Sequence, residues 1–153
     1  MNRSHYLERK IDKKDHAILA ALFADGRITT KDLADLMDMS SPSAAARILK
    51  MKDAGAIKGY TVVIDPLVFG LSITANLRMS PFSGEVNRLK QMLNETPQIV
   101  EANHVSGKNG YVAIVMTCDT DELNSVIACF SAFASIDSEV ILSPTVPRRL
   151  PKF

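Results

Sequence analysis

The side chains best placed to do chemistry lie together in one short stretch, Ser40 to Gly55, and the chemistry they suit is hydrogen bonding to a polyanion. Ser40, Ser41, Ser43, Arg47, Lys50 and Lys52 supply hydroxyl, guanidinium and ammonium donors along what reads as a single helix. Ser40 takes the N-cap position, and Pro42 falls in the first turn, where its missing amide leaves nothing unpaired. Ala44, Ile48 and Met51 recur at i, i+4 and i+7 as the buried stripe, and Gly55 supplies a left-handed stop. Lys50 and Lys52 suit phosphate oxygens; Arg47 suits either a phosphate or an ion pair that fastens the helix to its own domain. No serine, cysteine or carboxylate stands at a spacing that suggests nucleophilic or acid/base catalysis, so no catalytic residue is nominated. Cys118 and Cys129 lack metal-ligand or redox-pair spacing and read as structural thiols in apolar surroundings, as in a reducing cytoplasm. His5, His16 and His104 are too scattered to nominate a metal site, His104 reading as a hydrogen-bonded strand histidine, and no cofactor is implied.

The elements that must position those donors are legible from their caps. Thr29 with Asp32 opens a helix over 30–37 that turns Leu33, Ala34, Leu36 and Met37 to one side. Asp38-Met39 then makes a tight break before Ser40, and two short helices so joined read as a helix-turn-helix. Upstream, Asp12 with Asp15 opens another helix, with Ile18, Leu19, Leu22 and Phe23 as its inward face, and Asp25-Gly26 stops it. Three helices around one small core make a minimal DNA-reading domain. The polar residues 1–10, with Arg3, Arg9 and Lys10, read as a mobile arm within reach of phosphates. Net charge is only +1, but residues 1–60 hold 11 Lys/Arg against 8 Asp/Glu and residues 61–153 hold 7 against 9. The basic surplus therefore falls on the helical half. No apolar run reaches membrane-span length, and no hydrophobic signal region opens the chain, so a cytoplasmic protein is expected.

Beyond Gly55 the period changes from helical to alternating. Residues 57–64 are β-branched and close on Asp65-Pro66, which predicts a linking strand. A lone strand cannot satisfy its own backbone, so its expected partner is the same strand of another subunit. Then come a strand over 72–79, a helix over 85–93 with Val86, Leu89, Met92 and Leu93 inward, and strands over 99–105 and 111–117. A helix over 121–134 and a strand over 138–142 follow. Gly107 and Gly110 around two polar residues signal a hairpin between the second and third strands. The order βαββαβ is ferredoxin-like, so the fold class is α+β. The expected division is a helix-turn-helix domain at 1–58, a linking strand and hinge at 59–70, and a sensing and oligomerisation domain at 71–153.

With that order in place the chain resembles the Lrp/AsnC (leucine-responsive, feast/famine) family of prokaryotic transcription factors. The resemblance rests on Asp12-x-x-Asp15-x-x-Ile18-Leu19, Asp25-Gly26-Arg27-Ile28, Leu33-Ala34, Met39-Ser40 and Arg47-Ile48. Gly55-Ala56-Ile57-Lys58-Gly59-Tyr60 and Ile64-Asp65-Pro66 with Gly70 complete it. It implies a regulator that binds double-stranded promoter DNA and senses a small-molecule effector, an amino acid or related metabolite, between C-terminal domains. It also implies dimers that assemble to tetramers or octamers, and no catalysis. The sensing loop it implies is Ser106, Gly107, Lys108, Asn109 and Gly110, where the family pattern resembles Thr-Gly-Asp-Tyr-Asp-Tyr. Both acidic positions are replaced here, by Lys108 and Gly110, so an ammonium group loses its partner while an anion gains one. Along the recognition helix Ala45, Ala46 and Leu49 leave few donors, which shifts expected affinity toward phosphate contacts and DNA shape. Two alternatives stand beside this reading. One is a metabolite-binding oligomeric module that has lost DNA binding. The other is a sirohaem-decarboxylase-like enzyme on the same fold, which would need aromatic, arginine-rich walls, whereas this chain has no Trp.

Overall fold

In the computed structural model, which describes residues 11–151, the first three helices each begin where a side-chain oxygen meets free amides. Asp12 and Asp15 close a reciprocal capping box at the start of α1 (Lys13–Ala24). Thr29 accepts from the amide of Asp32 at the start of α2 (Thr30–Leu36), and Ser40 caps α3 (Ser41–Asp53), with a proline in the first turn. Such caps matter because the first four amides of a helix have no carbonyl behind them. Between α2 and α3 the chain reverses at Asp38, whose φ of 49° is a left-handed conformation that Asp tolerates better than most residues. The Met39 amide returns to the Ala34 carbonyl at 3.0 Å, which ties the turn to α2. Gly55, with φ 72°, ends α3, and the Ala56 amide reaches back to Met51 at 2.9 Å.

The three helices converge on Ile18, Leu33 and Met51, with Leu22, Ile28 and Ile48 among the partly buried side chains around them. Phe23, expected inward, is 46% exposed. It stands about 140° round α1 from Ile18, beyond the edge of the stripe that meets the core. Leu36, at the last position of α2, is exposed as well. The expected arm over residues 1–10, and with it His5, lies outside the described residues.

The chain divides into two compact units, one built from the chain up to Val63 together with the tail from Pro147, the other from Ile64–Val146. Residues 57–64, expected as a linking strand, form no strand in the single chain. The physical reason is the one already given, since among the described residues no segment pairs with them. Val62 and Val63 are among the most exposed apolar side chains of the described residues.

The second unit opens with a 3₁₀ turn at Pro66–Phe69, capped by Asp65 and ended by Gly70. Then come β1 (Ile73–Pro81), α4 (Val86–Glu95), β2 (Ile99–His104), β3 (Tyr111–Thr117), α5 (Thr120–Ser131) and β4 (Ala134–Val140). The sheet order is β2-β3-β1-β4, and every pairing is antiparallel, which is the ferredoxin-like arrangement. β4 starts at Ala134 rather than Ser138, and α5 stops at Ser131 rather than running to Ala134. Helix propensity loses here to pairing with β1, where Met79 sits opposite Ile136 and Pro81 opposite Ala134. Ala75, Leu77 and Met79 of β1, with Ala113 and Val115 of β3, meet Leu89 of α4 and Phe130 of α5 in one core. Both helices therefore cover the same face of the sheet. Val86, expected inward, is exposed at the first residue of α4. Cys118 and Cys129, expected in apolar surroundings, are both exposed free thiols. They lie just before and within α5, away from its inward residues Leu123, Val126 and Phe130. Among the described residues no helix is long and apolar enough to cross a membrane.

Candidate nucleic-acid interface and effector cleft

Arg47 does not face outward. Its Nη1 donates to Asp12 Oδ2 and to Asp15 Oδ1, each at 2.7 Å. Asp15 is completely buried, although it is the third residue of α1 and belongs to a capping box. A carboxylate taken out of water needs a cation and hydrogen bonds to remain charged. Asp15 receives both, from Arg47, from the Asp12 amide at 3.1 Å and from Lys50 Nζ at 3.8 Å. The Arg47 guanidinium, helped by the Asp15 amide, holds the Asp12 carboxyl below its ordinary value, and the two carboxylates push Arg47 further up. One guanidinium thus fastens the middle of α3 to the start of α1. Of the two roles open to Arg47 in the sequence, the geometry supports the internal ion pair.

The remaining candidates of α3 are disposed differently. The Ser40 hydroxyl oxygen accepts from the Ser43 amide at 3.4 Å and so serves as the cap. Ser41 is half-buried, Ser43 and Lys52 are exposed, and Lys52 Nζ lies 5.3 Å above the Tyr60 ring. The carboxylate partners of Arg47 were the functional residues that sequence reasoning overlooked. Asp12 and Asp15 were read only as helix-starting signals, and nothing local to either marks a partner 35 or 32 residues away.

In the second unit the five residues Ser106, Gly107, Lys108, Asn109 and Gly110 form one loop between β2 and β3. Gly107 and Gly110 take φ of 117° and 73°, which a Cβ would strain. The Val105 amide donates to the Gly110 carbonyl at 2.7 Å and the Tyr111 amide to Asn109 at 2.9 Å. Ser80 at the end of β1 donates its hydroxyl to the Lys108 carbonyl at 3.2 Å. The Lys108 side chain is left at the exposed tip. An open cleft of ≈ 350 Å³ runs beside β2, with Lys90 and Asn94 of α4 on one side and Ala102, His104 and Tyr111 on the other. His104 and Tyr111 hold their rings 4.9 Å apart, so His104 is an exposed ring-packed residue at the mouth of the cleft. None of the five loop residues lines that cleft, although His104 and Tyr111 flank the loop in sequence.

The surroundings of Cys118 leave its thiol unreactive. Cys118 is pushed up to about 11, first by its hydrogen bond to Glu122 and then by burial and by Asp119. Glu122 is held low by the Cys118 amide and by Gln98. A thiol so placed stays protonated near neutral pH and is a poor nucleophile. Among the described residues no group of three His, Cys, Asp or Glu could hold a metal ion.

Comparison with known proteins agrees with both units. Residues 11–58 match the model of a winged helix-turn-helix DNA-binding domain, and residues 74–151 match that of the Lrp/AsnC ligand-binding domain. An uncharacterised HTH-type transcriptional regulator of Bacillus subtilis, YezC, is 32% identical over 133 residues, spanning 87% of this chain and 94% of that one. The structure of B. subtilis LrpC superposes with a TM-score of 0.85 at 23% identity, over 91% of this chain and 99% of that chain. A transcriptional regulator of Neisseria meningitidis solved as a complex with L-Met has a TM-score of 0.83 at 20% identity, over 92% and 96% of the two chains. These structural likenesses establish the fold. Joined by the matches along the sequence to a helix-turn-helix and a ligand-binding sheet, they identify the chain as a member of the Lrp/AsnC family, a DNA-binding transcriptional regulator that responds to a small-molecule effector.

Proposed function

We propose that this regulator acts in the cytoplasm as a dimer or a larger even assembly, and that an anionic metabolite of the amino-acid class sets its occupancy of promoter DNA. The observation that carries the reading is the sheet face left without a helix. Val112, Ile114 and Met116 of β3 stand there opposite Arg78, Asn76 and Thr74 of β1, and an apolar strip of that kind is normally covered by another surface. The exposed Val62 and Val63 of the linking segment support the same conclusion, because a second copy would supply their missing ladder. Two recognition helices related by such an axis suit a roughly palindromic operator with half-sites about one helical turn apart.

On the DNA side, Ser41, Ser43, Lys50 and Lys52 are assigned to the duplex, chiefly to phosphates, with Ser40 as the cap. Arg47 contributes by holding α3 in place. On the effector side, Ser106 to Gly110 supply backbone amides and the Lys108 ammonium for a carboxylate, beside the cleft lined by Lys90 and His104. The neisserial relative's complex with L-Met supports an amino-acid class of ligand, while Lys108 favours an extra negative charge. Such a ligand regulates only by binding one assembly or inter-domain arrangement better than another.

Calorimetry of the full chain against a panel of amino acids and dicarboxylates, paired with sedimentation, tests this. Acidic members should bind and change the assembly, and Lys108→Asp should move the preference toward zwitterionic amino acids. Binding of no panel member by either form removes the sensing role from the loop. A monomer at all concentrations removes the assembly.

A further inference from the structure

The internal use of Arg47 changes what α3 can say to a base pair. The side chains that remain outward can be placed from the helix period alone. Pro42, Ala46, Leu49 and Asp53 fall at i, i+4, i+7 and i+11, opposite the buried stripe of Ala44 and Met51. All four are exposed, and Leu49 is 59% exposed. Ala45 and the exposed Lys52 flank them on one side, Ser43 and Lys50 on the other. In a helix-turn-helix the N-terminal half of the second helix meets the base edges. Here the outward face of that half carries Pro42 and Ala46, and Leu49 continues it just past the helix midpoint.

Neither Ala46 nor Leu49 can satisfy the paired acceptors of guanine or the donor and acceptor of adenine. Lys50 is drawn to Asp15 at 3.8 Å, and Asp53 stands a full turn beyond Leu49. What an apolar stripe can meet on the floor of a major groove is the C5-methyl of thymine, the one apolar group there. A cytosine in its place would press its exocyclic amine against carbon, desolvated and without an acceptor.

We infer that Ala46 and Leu49 are the specificity-determining residues of this regulator and that they read thymine methyl groups, with hydrogen-bonded base recognition confined to Ser43 and Lys50 at the flank. This rests on the DNA-reading role of α3 and names what it reads. The exposure of Leu49 in the free protein then has a reason, because its partner is the duplex.

The test uses the full-length protein. Duplexes selected from a random pool give the preferred half-site. Each thymine is then replaced by deoxyuridine, which removes the methyl and leaves every hydrogen-bonding group in place. One or two positions per half-site should lose roughly three- to five-fold in affinity, the discrimination expected of one buried methyl group. In Leu49→Ala the loss at one of those positions should vanish while the others keep theirs. Leu49 lies outside the core, so a thermal melt matching the parent confirms that the variant is folded.

An enriched motif in which deoxyuridine is tolerated at every thymine, or a Leu49→Ala protein with every thymine-to-uracil ratio unchanged, overturns the inference. If no motif is enriched but affinity still falls steeply with salt, base reading by α3 is wrong and backbone-driven binding stands. If no duplex binds at any salt concentration, the DNA-reading role fails and the inference falls with it.

Discussion

The two compact units solve the same problem, holding one working surface steady, by different means. The C-terminal unit has a sheet and two helices between which Phe130, Leu89, Leu77, Met79 and Val115 are fully buried, so apolar packing alone can fix its strands. Among the described residues of the N-terminal unit the large buried core side chains are Ile18, Leu33 and Met51, with the small Ala34 and Ala44 beside them. A core that small leaves the pitch and rotation of a recognition helix weakly specified. The Arg47 bridge to Asp12 and Asp15 adds direction, because an ion pair with hydrogen-bond geometry has one satisfactory arrangement whereas packed methyl groups have several. The difference teaches that a charge on a DNA-reading helix need not be addressed to DNA.

Four substitutions would break or sharpen that contrast. The largest effect belongs to Phe130→Ala, which empties the middle of the C-terminal core and should cost about 3–5 kcal/mol in denaturant unfolding. The loss should be nearly the same at low and high salt. A strong salt dependence would show that the sheet unit, too, relies on charge. Next comes Arg47→Ala, which leaves the buried Asp15 carboxylate, among the described residues, with the Asp12 amide and the more distant Lys50 as its partners. It should lower the denaturant midpoint, with little change in the salt slope of DNA binding once folding is accounted for. Lys52→Ala should do the reverse, leaving stability alone and lowering that slope by about 1. Were Arg47→Ala instead to lower the slope with no loss of stability, Arg47 would be a phosphate contact and the contrast would fail.

Asp12→Asn carries the smallest effect and reads the bridge through pH. Arg47 holds the Asp12 carboxyl below its ordinary value of 3.8. A depressed carboxylate stabilises the fold above its unfolded value, and that contribution disappears as pH falls through the folded one. The stability difference between the parent and the Asn variant should therefore be constant at and above about pH 5 and shrink steadily in more acidic solution. A difference that stays constant down to pH 2 would remove Asp12 from the bridge.

Where a feature depends on near neighbours it could be read directly. Thr29 with Asp32, Ser40, Gly55 and the Gly107–Gly110 hairpin each act within a few residues, and the helices and the hairpin form as their spacing requires. The alternation of β3 likewise identifies Ala113 and Val115 as one face. The ends of α5 and β4 were not legible in the same way. Ala134 favours a helix locally, and only its pairing with Pro81 of β1 decides otherwise. Exposure was harder still. Phe23, Val86, Cys118 and Cys129 are apolar or weakly polar residues whose burial depends on which side of an element finds a partner, and no periodicity states that for residues at the margin of a stripe.

By itself, then, the order of residues determined the local events: where the capped helices start, where the chain turns, and the alternation that commits four segments to one sheet. Tertiary structure decided where the charges go. Arg47 could have met a phosphate or a carboxylate equally well, and only folding brings Asp12 and Asp15 from across the domain to within 2.7 Å of it. The physical reason is range. Caps and periods are set by bonds spanning three or four residues, whereas the partner of a long cationic side chain is whatever the packing of distant helices places within its reach.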